Sequence, residues 1–339
     1  MRCVAGSILL EDGFKDGYIT YNIKNMPVLH FEKTKEQIQY EGLIIPSFVN
    51  AHTHIGDSFI RKMKIPLPKD IKSLVGPPNG LKHQLLQSTD QNTIRQGMHL
   101  AIDEMRTCGT SVFLDFRENG IKGSSLLLRS AEPVTVRPLI FGRPTSLFYN
   151  EKELSELFKI VDGIGLSSIS DWNQDHLESV VSLAKKNNIP IAFHASESKR
   201  EDIETLLSYD PFFLVHMTQA TKQDLRTVAE ETIPIVVCPR SNNFFDLTPP
   251  LRQMKEQQVQ LLLGTDNAML HSPCILDEIK FVLELFPDIF TLEELLIMAT
   301  YGARKVLNLK DGIPGANFPS SFVVLEPGSL QIISTTVGS

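Results

Sequence analysis

The sequence predicts an α/β protein: a (β/α)8 TIM barrel with a small composite β-sheet domain built from the N- and C-terminal segments. Three observations predict it. Short apolar runs rich in β-branched residues recur at 43–49, 110–116, 134–141, 161–166, 190–194, 212–216, 233–238 and 259–264. They lack internal apolar–polar alternation, as strands covered on both faces do. Helix-like stretches such as QDHLESVVSLAKKNN and KQDLRTVAEET separate most of them, and eight strands alternating with helices close into a barrel.

The remaining segments follow in order. Residues 1–44 form the first part of the small β domain, because SILLEDG, DGYITYNI and MPVLHFE read as hairpin-like pieces with Asp-Gly at the turns. The barrel occupies 45–308. Inside it, residues 55–92 carry IPLPKDIKSLVGPPNGLKHQ, too rich in Pro and Gly for one regular helix. A long loop after a barrel strand is either a lid over the active face or a plain surface excursion, and the sequence leaves both open. Residues 309–339 complete the small domain. There SSFVVLEPG and LQIIST read as two strands that return to pair with the N-terminal ones.

Composition excludes several classes. The chain has 339 residues, 42% hydrophobic and 22% charged, which rules out bulk disorder. Its 33 Lys+Arg against 40 Asp+Glu leave a formal charge of -7 and no broad basic footprint for nucleic acid. Cys3, Cys108, Cys238 and Cys274 form no CxxC pair, so neither a disulfide framework nor a thiolate zinc site is expected. The opening MRCVAGSILLEDG meets acids too early for a signal peptide, and no apolar run of about 18 residues spans a membrane. The expectation is a cytoplasmic enzyme or binding protein acting on a small molecule, without nucleic-acid or membrane partners; a homo-oligomer is compatible with it.

The chemistry lies at strand ends. His52-Thr53-His54, His194, His216 and Gly264-Thr265-Asp266 each close a predicted strand, and in a parallel barrel those ends converge on one face. His52 and His54 stand at i, i+2, so on a strand both imidazoles face one point, as a metal needs. His194 is followed by Glu197. A third imidazole beside a carboxylate that is not a ligand is the division of labour of metal-assisted hydrolysis. The plainer reading of Glu197 is an acid in the first turn of the next helix. His216 could bind metal, contact substrate or water, or be a satisfied core histidine. Asp266, buried at the barrel mouth, needs a cation or a protonated histidine as partner. These residues alone do not say which histidines ligate.

As a set they resemble the amidohydrolase superfamily, in its cytosine deaminase and chlorohydrolase-like branch, and the match runs in order along nearly the whole chain. His52-Thr53-His54 is similar to that branch's HxH, His194-Ala195-Ser196-Glu197 to its HxxE, Cys238-Pro239-Arg240-Ser241-Asn242 to its CPxSN segment and Gly264-Thr265-Asp266-Asn267 to its GTDN. Tyr301-Gly302-Ala303-Arg304 resembles its barrel-closing helix, whereas Ala316-Asn317 replaces the usual Ala-Asp before the last strand. The resemblance implies one divalent metal, zinc first with Fe2+ or Mn2+ as alternatives, on His52, His54, His194 and Asp266. It implies Glu197 as proton shuttle, His216 as stabiliser of the attacked group or the water, and Asp266 as orienter of the attacking hydroxide. Dinuclear members carry a lysine at the end of strand four; Asp162–Ser168 has none, which favours a single metal.

The implied activity is an aminohydrolase, a deaminase releasing ammonia from a nucleobase, nucleoside or related heterocycle. Hydrolysis of a cyclic amide or C–Cl bond on the same scaffold is the alternative, and a non-catalytic metal- or ligand-binding barrel the second. Arg117, Arg143 and His271 are candidate substrate contacts; Arg143, following strand three, has the fork to grip a carboxylate or purine edge. His30, His83, His99 and His176 lack such context and read as surface or structural.

Overall fold

The computed structural model describes residues 2–22, 26–132, 135–313 and 318–338. Two sheets organise them. Strands β1 (Arg2–Leu10), β2 (Gly13–Tyr21), β3 (Val28–His30), β4 (Tyr40–Pro46), β14 (Phe322–Leu325) and β15 (Ile332–Thr335) form a six-stranded sheet in the order β15-β14-β4-β1-β2-β3. The C-terminal strands therefore do return to the N-terminal ones, β14 lying antiparallel to β4. Val4, Ile8, Ile19, Ile44, Phe322 and Val324 bury this sheet's apolar face. Ala316 and Asn317 lie outside the described residues.

One turn expectation needs correction. Asp12-Gly13 closes the β1–β2 hairpin, with Leu10 opposite Gly13. Asp16-Gly17 lies inside β2, opposite Ser7 and Gly6. Its glycine serves close approach, since a Cβ at Gly17 would stand 2.5 Å from the His30 carbonyl oxygen.

The barrel strands are β5 (Phe48–His54), β6 (Thr110–Arg117), β7 (Arg137–Gly142), β8 (Gly163–Leu166), β9 (Ile191–Ala195), β10 (Phe213–His216), β11 (Ile235–Val237) and a broken eighth, β12 (Leu261–Leu263) plus β13 (Asp266–Asn267). All pair in parallel. The predicted run 43–49 proves to serve both sheets: it ends β4, breaks at the buried Ser47 and starts β5. The run expected at 134–141 starts at Arg137, and its first residue, Val134, lies outside the described residues. In strand eight, β12 pairs with β11 and β13 with β5, which closes the barrel. Gly264 sits at the break because a Cβ there would meet His52 Cβ at 2.7 Å.

The helices form where sequence signals place them. In Gln174–Lys186, Asn173 caps the first turn by accepting from the His176 amide. Leu177, Val180, Val181 and Ala184 then form the i, i+3, i+4, i+7 stripe that faces the barrel. The 55–92 segment contains three short helices, Ser58–Met63, Ile71–Leu74 and Leu81–Ser88, anchored by buried Phe59, Ile60, Leu74 and Leu86. No helix of the described residues is long and apolar enough to cross a membrane.

Arg304 ties the two sheets together. Its guanidinium donates to the Ser47 carbonyl at 2.7 Å, to Ser47 Oγ at 2.9 Å and to Asp311 at 3.1 Å. Arg304→Ala strands the buried Ser47 acceptors and should lower stability by about 2–4 kcal/mol in urea unfolding, with Lys recovering only part. An unchanged midpoint would show that the bridge contributes nothing.

Candidate metal centre

Strand geometry delivers the site. On β5, Thr53 turns away from its neighbours and donates to Leu114 O and Asp115 Oδ2, both at 3.0 Å, so His52 and His54 point together into the barrel mouth. His194 on β9, His216 at the end of β10 and Asp266 at the start of β13 join them. One donor atom from each of His52, His194, His216 and Asp266 lies within 4.8 Å of the other three. His54 belongs to the same cluster, its Nε2 standing 3.2 Å from His194 Nε2 and 3.5 Å from Asp266 Oδ1. Two of these residues adopt left-handed backbone, His216 at φ 76° and Asp266 at φ 59°. Such conformations cost non-glycine residues about 1–3 kcal/mol and persist where the surroundings impose them.

Hydrogen-bond partners decide which nitrogen faces the centre. His194 Nδ1 meets the Leu166 carbonyl at 3.0 Å, an acceptor, so the proton sits on Nδ1 and the Nε2 lone pair faces inward. His54 Nδ1 lies 2.9 Å from Glu118 Oε1, a close contact without hydrogen-bond geometry, and its Nε2 lies at hydrogen-bond distance from His194 Nε2. His216 is the reverse: Asn242 Nδ2 donates to its Nδ1 at 3.2 Å, so its N–H is on Nε2, 3.5 Å from Glu197 Oε1. His52 Nε2 and Asp266 Oδ1 face each other at 3.3 Å, and both are buried without a hydrogen bond. The other Asp266 oxygen accepts from Ser241 Oγ at 2.5 Å.

The electrostatics agree. Burial pushes the His52 and His194 pKa values down, and burial with the Lys82 charge takes His54 to about 3, so these imidazoles are neutral. Burial alone would raise Asp266, but its contact with His52 and its place among His216 and His54 hold it well below the usual carboxylate range. Burial raises Glu197, partly opposed by His216. Imidazole nitrogens and a carboxylate oxygen gathered this closely are the kinds of donor that a divalent cation takes. The residues present therefore fit a metal.

Beside them lies a cavity of ≈ 380 Å³ lined by His54, His194, Glu197, His216, Asp266 and Arg143. Its far wall comes from the excursion, through Asp70, Ile71, Lys72, Val75 and Lys82, so that segment is part of the pocket. The plainer reading of Glu197 fails: the next helix is capped by Asp202 and begins at Ile203, well beyond it. Of the three expected substrate contacts, Arg143 lines the cavity. Arg117 is placed behind it, 2.6 Å from Glu118 and 3.7 Å from Asp115. His271 is half-buried and outside the lining. Among the other histidines, His30 stacks on Tyr18 at 4.5 Å and His83 meets the Val75 carbonyl at 3.1 Å. Sequence reasoning missed Lys82 and Glu118. For Lys82 a signal existed: it shares a helix face with buried Leu86, four residues on, where a solvated lysine does not belong.

Comparison with known proteins places this arrangement. Residues 43–332 match the amidohydrolase family. The chain is 32% identical to the uncharacterized protein MJ0699 of Methanocaldococcus jannaschii, over 98% of this chain and 88% of that protein. It is 26% identical to the 5-methylthioadenosine/S-adenosylhomocysteine deaminase of Caldicellulosiruptor saccharolyticus, over 97% of this chain and 82% of the relative. The crystal structure of Helicobacter pylori aminofutalosine deaminase with methylthio-coformycin superposes with a TM-score of 0.73 at 17% identity, covering 96% of this chain and 92% of that one. With the family match spanning most of its length and the barrel-mouth cluster in place, the chain belongs to the amidohydrolase family.

Proposed function

We propose that this protein is a metal-dependent aminohydrolase that replaces the exocyclic amine of a nucleobase, nucleoside or related heterocycle by hydroxyl, using one divalent cation, zinc first, on His52, His54, His194 and Asp266. The observation that carries the reading is the placement of Glu197. It reaches the cavity from the segment after β9, 3.5 Å from the His216 N–H and beside the lone-pair cluster. The deaminase named among the relatives supports the same reaction class.

The bound cation supplies a Lewis acid that makes water nucleophilic at neutral pH. Glu197, raised by burial, is tuned to take one proton from the attacking water and pass it to the ring nitrogen, then to take the second from the added hydroxyl and pass it to the amine, which leaves as ammonia as the C–N bond breaks. Asp266, ionised and pinned by Ser241, orients that water. His216 offers its Nε2 N–H to the attacked centre, a donor role that its Asn242 partner enforces and that separates it from the three ligating histidines. Arg143 makes no side-chain hydrogen bond among the described residues, and its nearest carboxylate is Glu118 at 3.8 Å. Its donors are free to hold a polar edge of the substrate. The absence of a lysine from the end of β8 supports a single cation.

Purified protein should carry close to one divalent metal per chain by elemental analysis. His54→Ala should lose it and His83→Ala keep it; equal metal content in the two variants would count against the ligand assignment. Glu197→Gln should retain metal while ammonia release from the best substrate, found by screening amino-substituted purines, pyrimidines, pterins and triazines, drops by about 10²–10⁴-fold. A variant that keeps full turnover would remove Glu197 from the proton pathway.

A further inference from the structure

Glu118 is a buried carboxylate at the hinge between the proposed ligand set and the excursion, and the proposed mechanism gives it no task. Its Oε1 lies 2.9 Å from His54 Nδ1 and 2.7 Å from Lys82 Nζ, and its Oε2 accepts from Arg117 NH2 at 2.6 Å. Lys82 is 1% exposed, very unusual for a lysine, and its ammonium also donates to Asn267 Oδ1 at 3.1 Å, one residue beyond Asp266. Burying a carboxylate and an ammonium is costly unless each is compensated. Here one carboxylate oxygen stands between the ammonium and the outer nitrogen of one imidazole, which ties the arrangement to the orientation of His54.

We propose that Glu118, held in place by Lys82, is a positioning residue for the metal centre: it fixes the Nδ1–H tautomer and ring orientation of His54, and Lys82 makes that grip depend on the helix Leu81–Ser88 of the excursion. The inference rests on the metal reading above. The logic is steric and electrostatic. The Glu118 oxygen at Nδ1 directs the Nε2 lone pair of His54 at His194 and Asp266. Arg117 and Lys82 grip the carboxylate from both sides, so it cannot swing into the cavity. Losing Glu118 frees the ring to turn or to change tautomer; losing Lys82 loosens Glu118. Partners of this kind, acting through a ligand, change metal affinity by about 10–100-fold.

The test is Zn2+ affinity of the full chain, measured by competition with a chromophoric chelator, for wild type, Glu118→Ala, Lys82→Met and the double variant. Weaker binding by about 10–100-fold is expected for Glu118→Ala, a smaller loss for Lys82→Met, and no further loss in the double variant, because Lys82 acts through Glu118. The Co2+-loaded variants should also show a shifted d–d band, which a purely structural role would leave in place. Additive losses, or variants that bind Zn2+ as tightly as wild type, overturn the proposal. Wild type that takes up no Zn2+ overturns the metal reading and this inference with it, whereas wild-type uptake matched by Glu118→Ala overturns this inference alone. Should the variants fail to fold, nitrogen-15 NMR of His54 in metal-free wild type decides: Nδ1–H supports the proposal and Nε2–H overturns it.

Discussion

Two imidazole nitrogens, Nε2 of His54 and Nε2 of His194, stand 3.2 Å apart at the barrel mouth. Two bare lone pairs at that distance would repel, so a proton or a cation lies between them. Burial disfavours an imidazolium here, so what lies between them is the N–H of a neutral tautomer or a cation. Much of the surrounding architecture serves to hold this arrangement: the Leu166 carbonyl behind His194, Glu118 behind His54, and Ser241 behind Asp266.

The barrel bears the cost of that arrangement. Strand eight is interrupted so that Asp266 enters beside His52 and His54, and Gly264 gives the room at the break. Left-handed backbone at His216 and Asp266 aims side chains that regular strand ends would aim elsewhere. These are local violations of good strand geometry, and the closed parallel ladder on either side supplies the rigidity that sustains them.

The excursion after β5 turns an open barrel mouth into a pocket. Its wall residues 70–77 and its buried Lys82, which contacts Glu118, belong to the same segment. The segment therefore walls the cavity and also reaches the carboxylate beside His54. Arg143 stands where cavity, roof and Glu118 meet, with its donors unspent.

How much was legible follows from the range of each physical effect. Strand periodicity and parallel closure act along the chain, so the apolar runs predicted the barrel, and the polar residues at their ends predicted that His52, His54, His194, His216 and Asp266 converge. The composite sheet was readable for the same reason, from alternating segments at both ends; only the inner Asp16-Gly17 misled, because a turn signal and a close-approach glycine look identical in one dimension. Tautomers, strained φ angles and the partners Leu166, Asn242, Glu118 and Lys82 were settled in space. Leu166 and His194 are separated by 28 positions, and Lys82 reaches Asn267 across 185. Sequence by itself determined which residues meet; tertiary structure decided which atom of each faces the centre, because a hydrogen bond is directional and its partner arrives from another strand.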